Sequence, residues 1–299
     1  MKTAVTTYSF QRLLNSRQMT QEDCIVRAAE MGFDAIEFSD IIPPDGYDKK
    51  SYARKLAATC KEYNMPVCNI CFGADFLNGS GGDTRAEVRR VIDLLEYAAI
   101  LESPSIRHDA SAGYPPEARK DPYAGKAPYE YTFEHALPIV ADACREVTAA
   151  ADKLGIRTSV ENHGYLFQSG PRMTQLVHAV AHPNFGILCD IGNFLCMDQE
   201  PAASVAMVAP VTTHVHCKDF IYKPYADKPP GEYLSTSERN WLIGTYLGNG
   251  VVPVKQCLNI LAHHGYDGYV TVEFEGPEDN VYALSEGLVF LKQYLLSFV

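Results

Sequence analysis

Residues 157–190 read RTSVENHGYLFQSGPRMTQLVHAVAHPNFGILCD: a short alternating run (157–163), a stretch with apolar residues at helical spacing, then a second short run (185–190) ending at an aspartate. This strand–helix–strand unit recurs along the chain. The other β-like runs are AVTTYSF (4–10), AIEFS (35–39), PVCNICF (66–72), SIRHDA (105–110), THVHCKD (213–219) and YVTVEFE (269–275). Helical segments separate them. TQEDCIVRAAEMG (20–32) offers Thr20 as N-cap and Gly32 as C′ residue. In FEHALPIVADACREVTAAADKLG (133–155), Leu137, Val140, Cys144, Val147, Ala151 and Leu154 form a stripe closed by Gly155. Strand-then-helix units repeated over 299 residues predict an α/β fold, a single (β/α)8 TIM barrel spanning 1–299. The rival, a doubly wound sheet, would carry a Gly-rich phosphate loop after its first strand, and none follows residues 4–10. Long βα loops at 73–83, 110–131 and 220–250 are expected over the C-terminal face.

Composition narrows the function classes. A net charge of -11 disfavours a nucleic-acid binder, whose affinity comes largely from Lys and Arg. No run approaches the length of a membrane span, and the opening MKTAVTTYSFQRLLNSRQM lacks the apolar core of a secretory signal, so a cytoplasmic protein is expected. The nine cysteines sit mostly within apolar runs and read as reduced core residues. Cys68 and Cys71 form a lone C-x-x-C with no second pair, which is weak support for zinc or redox work.

Alternation in the last four strands carries the chemistry. Thr212, His214, His216 and Lys218 share one face of their run, opposite Thr213, Val215 and Cys217. Ser159, Glu161 and His163 lie opposite Val160; Thr271, Glu273 and Glu275 lie opposite Val270, Val272 and Phe274; Asp190 ends its run. Each strand thus brings an inward ionisable group to its C-terminal end. Unpaired carboxylates in a closed interior cost several kcal/mol apiece, and a divalent cation offsets that cost. An oxygen-rich set with one imidazole suits Mn first, then Mg or Co, with zinc less suited. Alternation alone does not separate His216 from His214 or Glu273 from Glu275. Depth places His214 ~6.6 Å below the mouth, and Glu275 adjoins the loop at Gly276-Pro277.

The set VENHG, CDIGN, HVHCKD and VEFEG, in this order and spacing, resembles the xylose isomerase-like TIM barrel superfamily of sugar isomerases and epimerases. The resemblance implies Glu161, Asp190, His216 and Glu273 as metal ligands, with Glu161 and Glu273 as the proton-transfer pair. It implies an isomerase or epimerase that takes a proton from a carbon beside a carbonyl, giving an enediolate that the divalent metal cation stabilises. The alternative is a lyase or dehydratase using the same site, as in inosose dehydratases or in β-elimination from a 3-keto sugar or glycoside. The ketohexose 3-epimerase branch has Glu, Arg and His where this chain has Phe167, Tyr222 and Asn193, which disfavours a free ketohexose as substrate. An endonuclease of the same superfamily would need further histidines on the early strands, and a non-catalytic barrel would not need all the ligands.

Four further residues are candidates for substrate contact: His108, His163, Lys218 and Trp241. Arg107 and Asp109, opposite in parity to His108, read as a structural pair, and Glu37 as a structural residue facing the barrel. The expected partners are a small sugar or keto-sugar and a second copy of the chain in a homo-oligomer, with neither nucleic acid nor membrane.

Overall fold

The computed structural model describes residues 1–113, 132–231 and 233–295. Its strands are β1 (Lys2–Thr6), β2 (Ala35–Ser39), β3 (Val67–Phe72), β4 (Ser105–His108), β5 (Arg157–Glu161), β6 (Phe185–Asp190), β7 (Thr212–Cys217), β8 (Asp219–Lys223), β9 (Leu234–Ser235), β10 (Trp241–Thr245) and β11 (Tyr269–Val272). Strands β1–β7 and β11 pair in parallel and close into a barrel in the order β1-β11-β7-β6-β5-β4-β3-β2. The expected (β/α)8 architecture is present. Strands β8, β10 and β9 form a small antiparallel sheet within the 220–250 connection, which is therefore structured and not a bare loop. Of the 110–131 connection, residues 114–131 lie outside the described residues.

Local signals set the helix ends. Thr20 accepts the Asp23 backbone N–H while the Asp23 carboxylate accepts that of Thr20 at 2.7 Å, and Gly32 closes the helix at φ 86°. The helix Phe133–Asp152 buries Val140, Cys144, Val147 and Ala151. Leu154 departs from the expected stripe: the helix has ended, and the side chain is exposed.

The strand faces sort by polarity. Val160, Ile187, Cys189, Val215, Cys217, Val270 and Val272 join the large core between barrel and helices. The barrel floor is a small cluster of Ala4, Ala35 and Cys68 packed against Tyr269. Alternation then aims Glu161, Asp190, His216 and Glu273 inward at the opposite, C-terminal end. All nine cysteines are buried and free, as small apolar residues should be. Among the described residues, no helix is long and apolar enough to cross a membrane.

Candidate metal centre

Glu161 ends β5, Asp190 ends β6, His216 lies one residue from the end of β7, and Glu273 follows β11 directly. Register aligns Asp190 with His216, and His216 with Thr271 on β11. Glu273 continues the ladder by one residue, its N–H donating to the Cys217 carbonyl at 3.0 Å. One side-chain donor atom from each of Glu161, Asp190, His216 and Glu273 falls within 4.8 Å of the others, and all four residues are buried.

Each group is held in place. Asp190 Oδ1 accepts the backbone N–H of Gly192 at 2.8 Å and of Asn193 at 3.0 Å. The turn needs glycine at 192, where a Cβ would come within 2.8 Å of the Lys218 carbonyl oxygen. Asn162 extends the β5–β6 ladder by side chain, donating to the Asp190 carbonyl at 2.9 Å and accepting its N–H at 2.8 Å. Arg107 donates to Glu161 Oε2, and Asn193 Nδ2 donates to Oε1 at 2.8 Å. The Lys218 ammonium lies 2.5 Å from Glu273 Oε2, 3.1 Å from Glu275 Oε1 and 3.3 Å from Asp190 Oδ2.

These residues fit a divalent cation. His216 Nδ1 is buried without a hydrogen-bond partner among the described residues and faces Glu273 Oε1 at 3.6 Å. Three carboxylates and one imidazole form a hard, oxygen-dominated donor set. Without such a cation, protons and basic side chains must balance the site. Burial works against ionising Glu161, but Arg107 holds its carboxyl below the usual range. Burial likewise opposes Glu273, yet Lys218 and His216 hold it well below. Burial, reinforced by Glu273 and Glu161 against the pull of Lys218, pushes Asp190 up to about 7. Burial disfavours the charged His216 ring, yet Glu37 and Glu273 raise its pKa well above the ordinary value.

A metal ion must therefore displace protons from Asp190 and His216. Affinity for Mn²⁺ is expected to climb about tenfold per pH unit for each proton displaced. The rise should be steepest below pH 7, where Asp190 also holds a proton. Titration of metal-free protein at pH 6 and pH 7 checks this, and a pH-independent affinity would contradict it.

Glu161, His216 and Glu273 open into a cavity of about 160 Å³ whose wall also includes Thr6, Tyr8, Ser39, Arg107, His163, Lys218 and Glu275, with Asp190 buried behind it. His163 stands half-exposed at the mouth, with Nδ1 3.8 Å from Asp109 Oδ1. Lys218 and Glu275 face each other inside it, and His214 sits beneath, as depth along the strand suggested. His108 lies elsewhere. Its ring packs edge-on against Phe76, and burial lowers its pKa to about 4. The parity of β4 is the reason: Ile106 packs in the outer core, so His108 shares that face and Arg107 points inward. Arg107 does pair with Asp109, at 3.1 Å, but its second partner is Glu161. Trp241 is also absent from the cavity wall. It stacks on Tyr225 within the small sheet's connection (6.4 Å between centroids, 14° between planes), with Lys228 4.7 Å from its ring. Sequence reasoning missed Arg107 and Asn193 as site residues. Counting strand faces from Ile106 would have found the first.

A family model described as Xylose isomerase-like TIM barrel matches residues 25–294. No curated protein sequence matches the chain. Among solved structures, the probable 3-DHS dehydratase of petrobactin synthesis from Bacillus anthracis superposes with TM-score 0.70 at 17% identity, covering 98% of this chain and 99% of that one. The 3-keto-D-glucoside 4-epimerase from E. coli gives TM-score 0.69 at 17% identity, with coverage of 91% and 94%. The IolI protein with a bound zinc atom gives 0.76 at 16% identity, with coverage of 100% and 99%. At such identities these likenesses establish the fold alone.

Proposed function

The chain belongs to the xylose isomerase-like TIM barrel family, and we propose that it is a divalent-metal-dependent isomerase or epimerase of an uncharged keto-sugar or polyol. The observation that carries this reading is the meeting of Glu161, Asp190, His216 and Glu273 at the mouth of the barrel, beside a cavity with hydroxyl-bearing walls. A divalent ion bound there supplies Lewis-acid polarisation of a carbonyl and its neighbouring hydroxyl. Mn is favoured, with Mg or Co next; zinc, which the IolI neighbour holds, is tested beside them.

The chain's own residues supply proton transfer. Glu273 and Glu161 come from strands on either side of the cluster and flank any substrate held between them. Glu273, steadied by Lys218, takes the proton from the carbon beside the carbonyl. Glu161 returns a proton on the opposite face or at the adjacent carbon. Arg107, which stays charged, keeps Glu161 ionised until it takes a proton from water at the mouth, and makes the acid so formed give that proton up readily, while Glu273 releases its own to solvent. His163 adds a further proton carrier at the mouth. A group able to protonate a departing hydroxyl also supports the second reading, a lyase or dehydratase on the same site.

The substrate is read as uncharged from the cations on the described wall. Arg107 is bound by Glu161 and Asp109, and Lys218 by Asp190, Glu273 and Glu275, which leaves neither for a phosphate. Metal-loaded protein is expected to bind neutral keto-sugars or inososes at least about tenfold better than their phosphates, since like charges across an interface repel. NMR of such substrates in D2O tests the chemistry. Deuterium entering at a carbon next to the carbonyl supports isomerisation or epimerisation, and a dehydrated product supports the lyase. A metal-loaded protein that exchanges no proton and eliminates nothing across the panel would sink both readings.

A further inference from the structure

Resting on that metal-site reading, we propose that Glu37 is the positioning residue that selects the coordinating nitrogen of His216, clamping the Nε2 side of both barrel histidines so that Nδ1 alone faces the ion. Glu37 is wholly buried on β2, three strands round the barrel from β7. Its Oε1 accepts from His216 Nε2 at 2.8 Å, and its Oε2 lies 3.0 Å from His214 Nε2. Asn69 on β3 completes the grip, donating from Nδ2 to Glu37 Oε2 at 3.0 Å, and is itself fixed by the Ser105 hydroxyl at 2.8 Å. His214 Nε2 also meets Thr271 Oγ1 at 2.8 Å. A polar layer thus spans β4, β3, β2, β7 and β11 directly beneath the cluster. Glu37 is its hub.

An acceptor-only carboxylate forces each facing ring nitrogen to carry a hydrogen. With Nε2–H committed to Glu37, the neutral ring of His216 carries its lone pair on Nδ1, the buried nitrogen that has no hydrogen-bond partner among the described residues and faces Glu273. This is a carboxylate–histidine–metal arrangement, in which the outer carboxylate fixes the tautomer and raises ligand basicity. The same three residues, Glu37, His214 and His216, could by composition hold an ion themselves. The clamp argues otherwise. Both imidazoles already aim the same nitrogen at the carboxylate, at hydrogen-bond distances, and Asn69 occupies the remaining approach to Oε2.

The test uses the full chain loaded with Mg²⁺ or Zn²⁺. Long-range ¹H–¹⁵N NMR on histidine-labelled protein reads which ring nitrogen is protonated, and metal analysis gives ions per chain. One ion per chain with His216 protonated at Nε2 is expected. Glu37→Gln can offer its oxygen to only one imidazole, and should bind metal about 10- to 100-fold more weakly, the usual cost of losing such an outer partner. Should it not fold, as judged by thermal melting without metal, Glu37→Asp keeps the charge but reaches only one ring and should show a smaller loss. Coordination through Nε2, two ions per chain, or a folded Glu37 variant with wild-type affinity would overturn the clamp while leaving the proposed function standing. A wild-type chain that binds no ion would sink both.

Discussion

Glu273→Gln, saturated with metal, should retain its fold yet lose three to four orders of magnitude in turnover. Loss of a positioned general base costs typically about 10²–10⁴-fold, and the missing carboxylate also weakens the charge environment of the reacting centre. The amide is nearly isosteric, so packing at β11 is preserved. Lys218 keeps Glu275 at 3.1 Å and Asp190 at 3.3 Å and is not orphaned. Removing one of several crowded carboxylates also relieves like-charge repulsion at Asp190, whose raised pKa owes part of its shift to Glu273. That relief is outweighed by losing the ionised Glu273, which Lys218 and His216 stabilise in the fold, so the variant should bind metal more weakly and melt no higher than wild type when metal-free. Rates must be compared at saturating metal, so that a binding loss is not read as a chemical one. Less than a tenfold fall under those conditions would reassign the base.

The residues behind that prediction were legible because strand alternation is a local rule. Strands β2 and β6 fall on the expected residues, and inward parity delivered Glu161, Asp190, His216 and Glu273 to one end of the barrel. Strand ends were less legible. The runs at 105–110, 157–163, 213–219 and 269–275 stop two or three residues early, because at the barrel mouth the backbone leaves the ladder to form the site's rim. The first run is displaced for a related reason: after Thr6 the chain turns into a short 3₁₀ helix, with Thr6 Oγ1 accepting the Tyr8 N–H.

What alternation could not show is who meets whom across the barrel. Glu37 reads as one acidic residue in an apolar strand, and its partners lie 177 and 179 positions away. Trp241 misled for a similar reason: its stacking partner comes from the same insertion, which sequence spacing presented as a loop. His108 misled through face assignment, because a four-residue strand gives alternation too few positions to speak clearly.

Asp219→Ala should lower the stability of the metal-free protein by about 4 kcal/mol, though Asp219 touches no proposed ligand. Its carboxylate is buried at the start of β8 and gathers four backbone N–H groups: Phe220 at 2.9 Å, Gly248 at 3.0 Å, Gly250 at 2.9 Å and Val252 at 3.0 Å. Three of these donors belong to the loop after β10, so one side chain fixes that loop against the barrel. The loop can approach this closely because residue 250 is glycine; a Cβ there would come within 2.1 Å of Asp219 Oδ1. Hydrogen bonds to a charged acceptor contribute about 1.5–3 kcal/mol each, and water reaching the freed amides recovers part of the loss. At roughly 2 °C per kcal/mol for a chain of this size, the melting temperature should fall by about 8 °C. Asp219→Asn keeps one oxygen but turns an NH2 towards other donors, so it should lie between Ala and wild type. A fall below about 2 °C for Asp219→Ala would mean that the loop is held by other contacts. The direction of coupling matters as much as the size. Lys218 is the neighbouring residue, so loosening Asp219 should also weaken the ammonium's hold on Glu273, and metal affinity should fall together with stability.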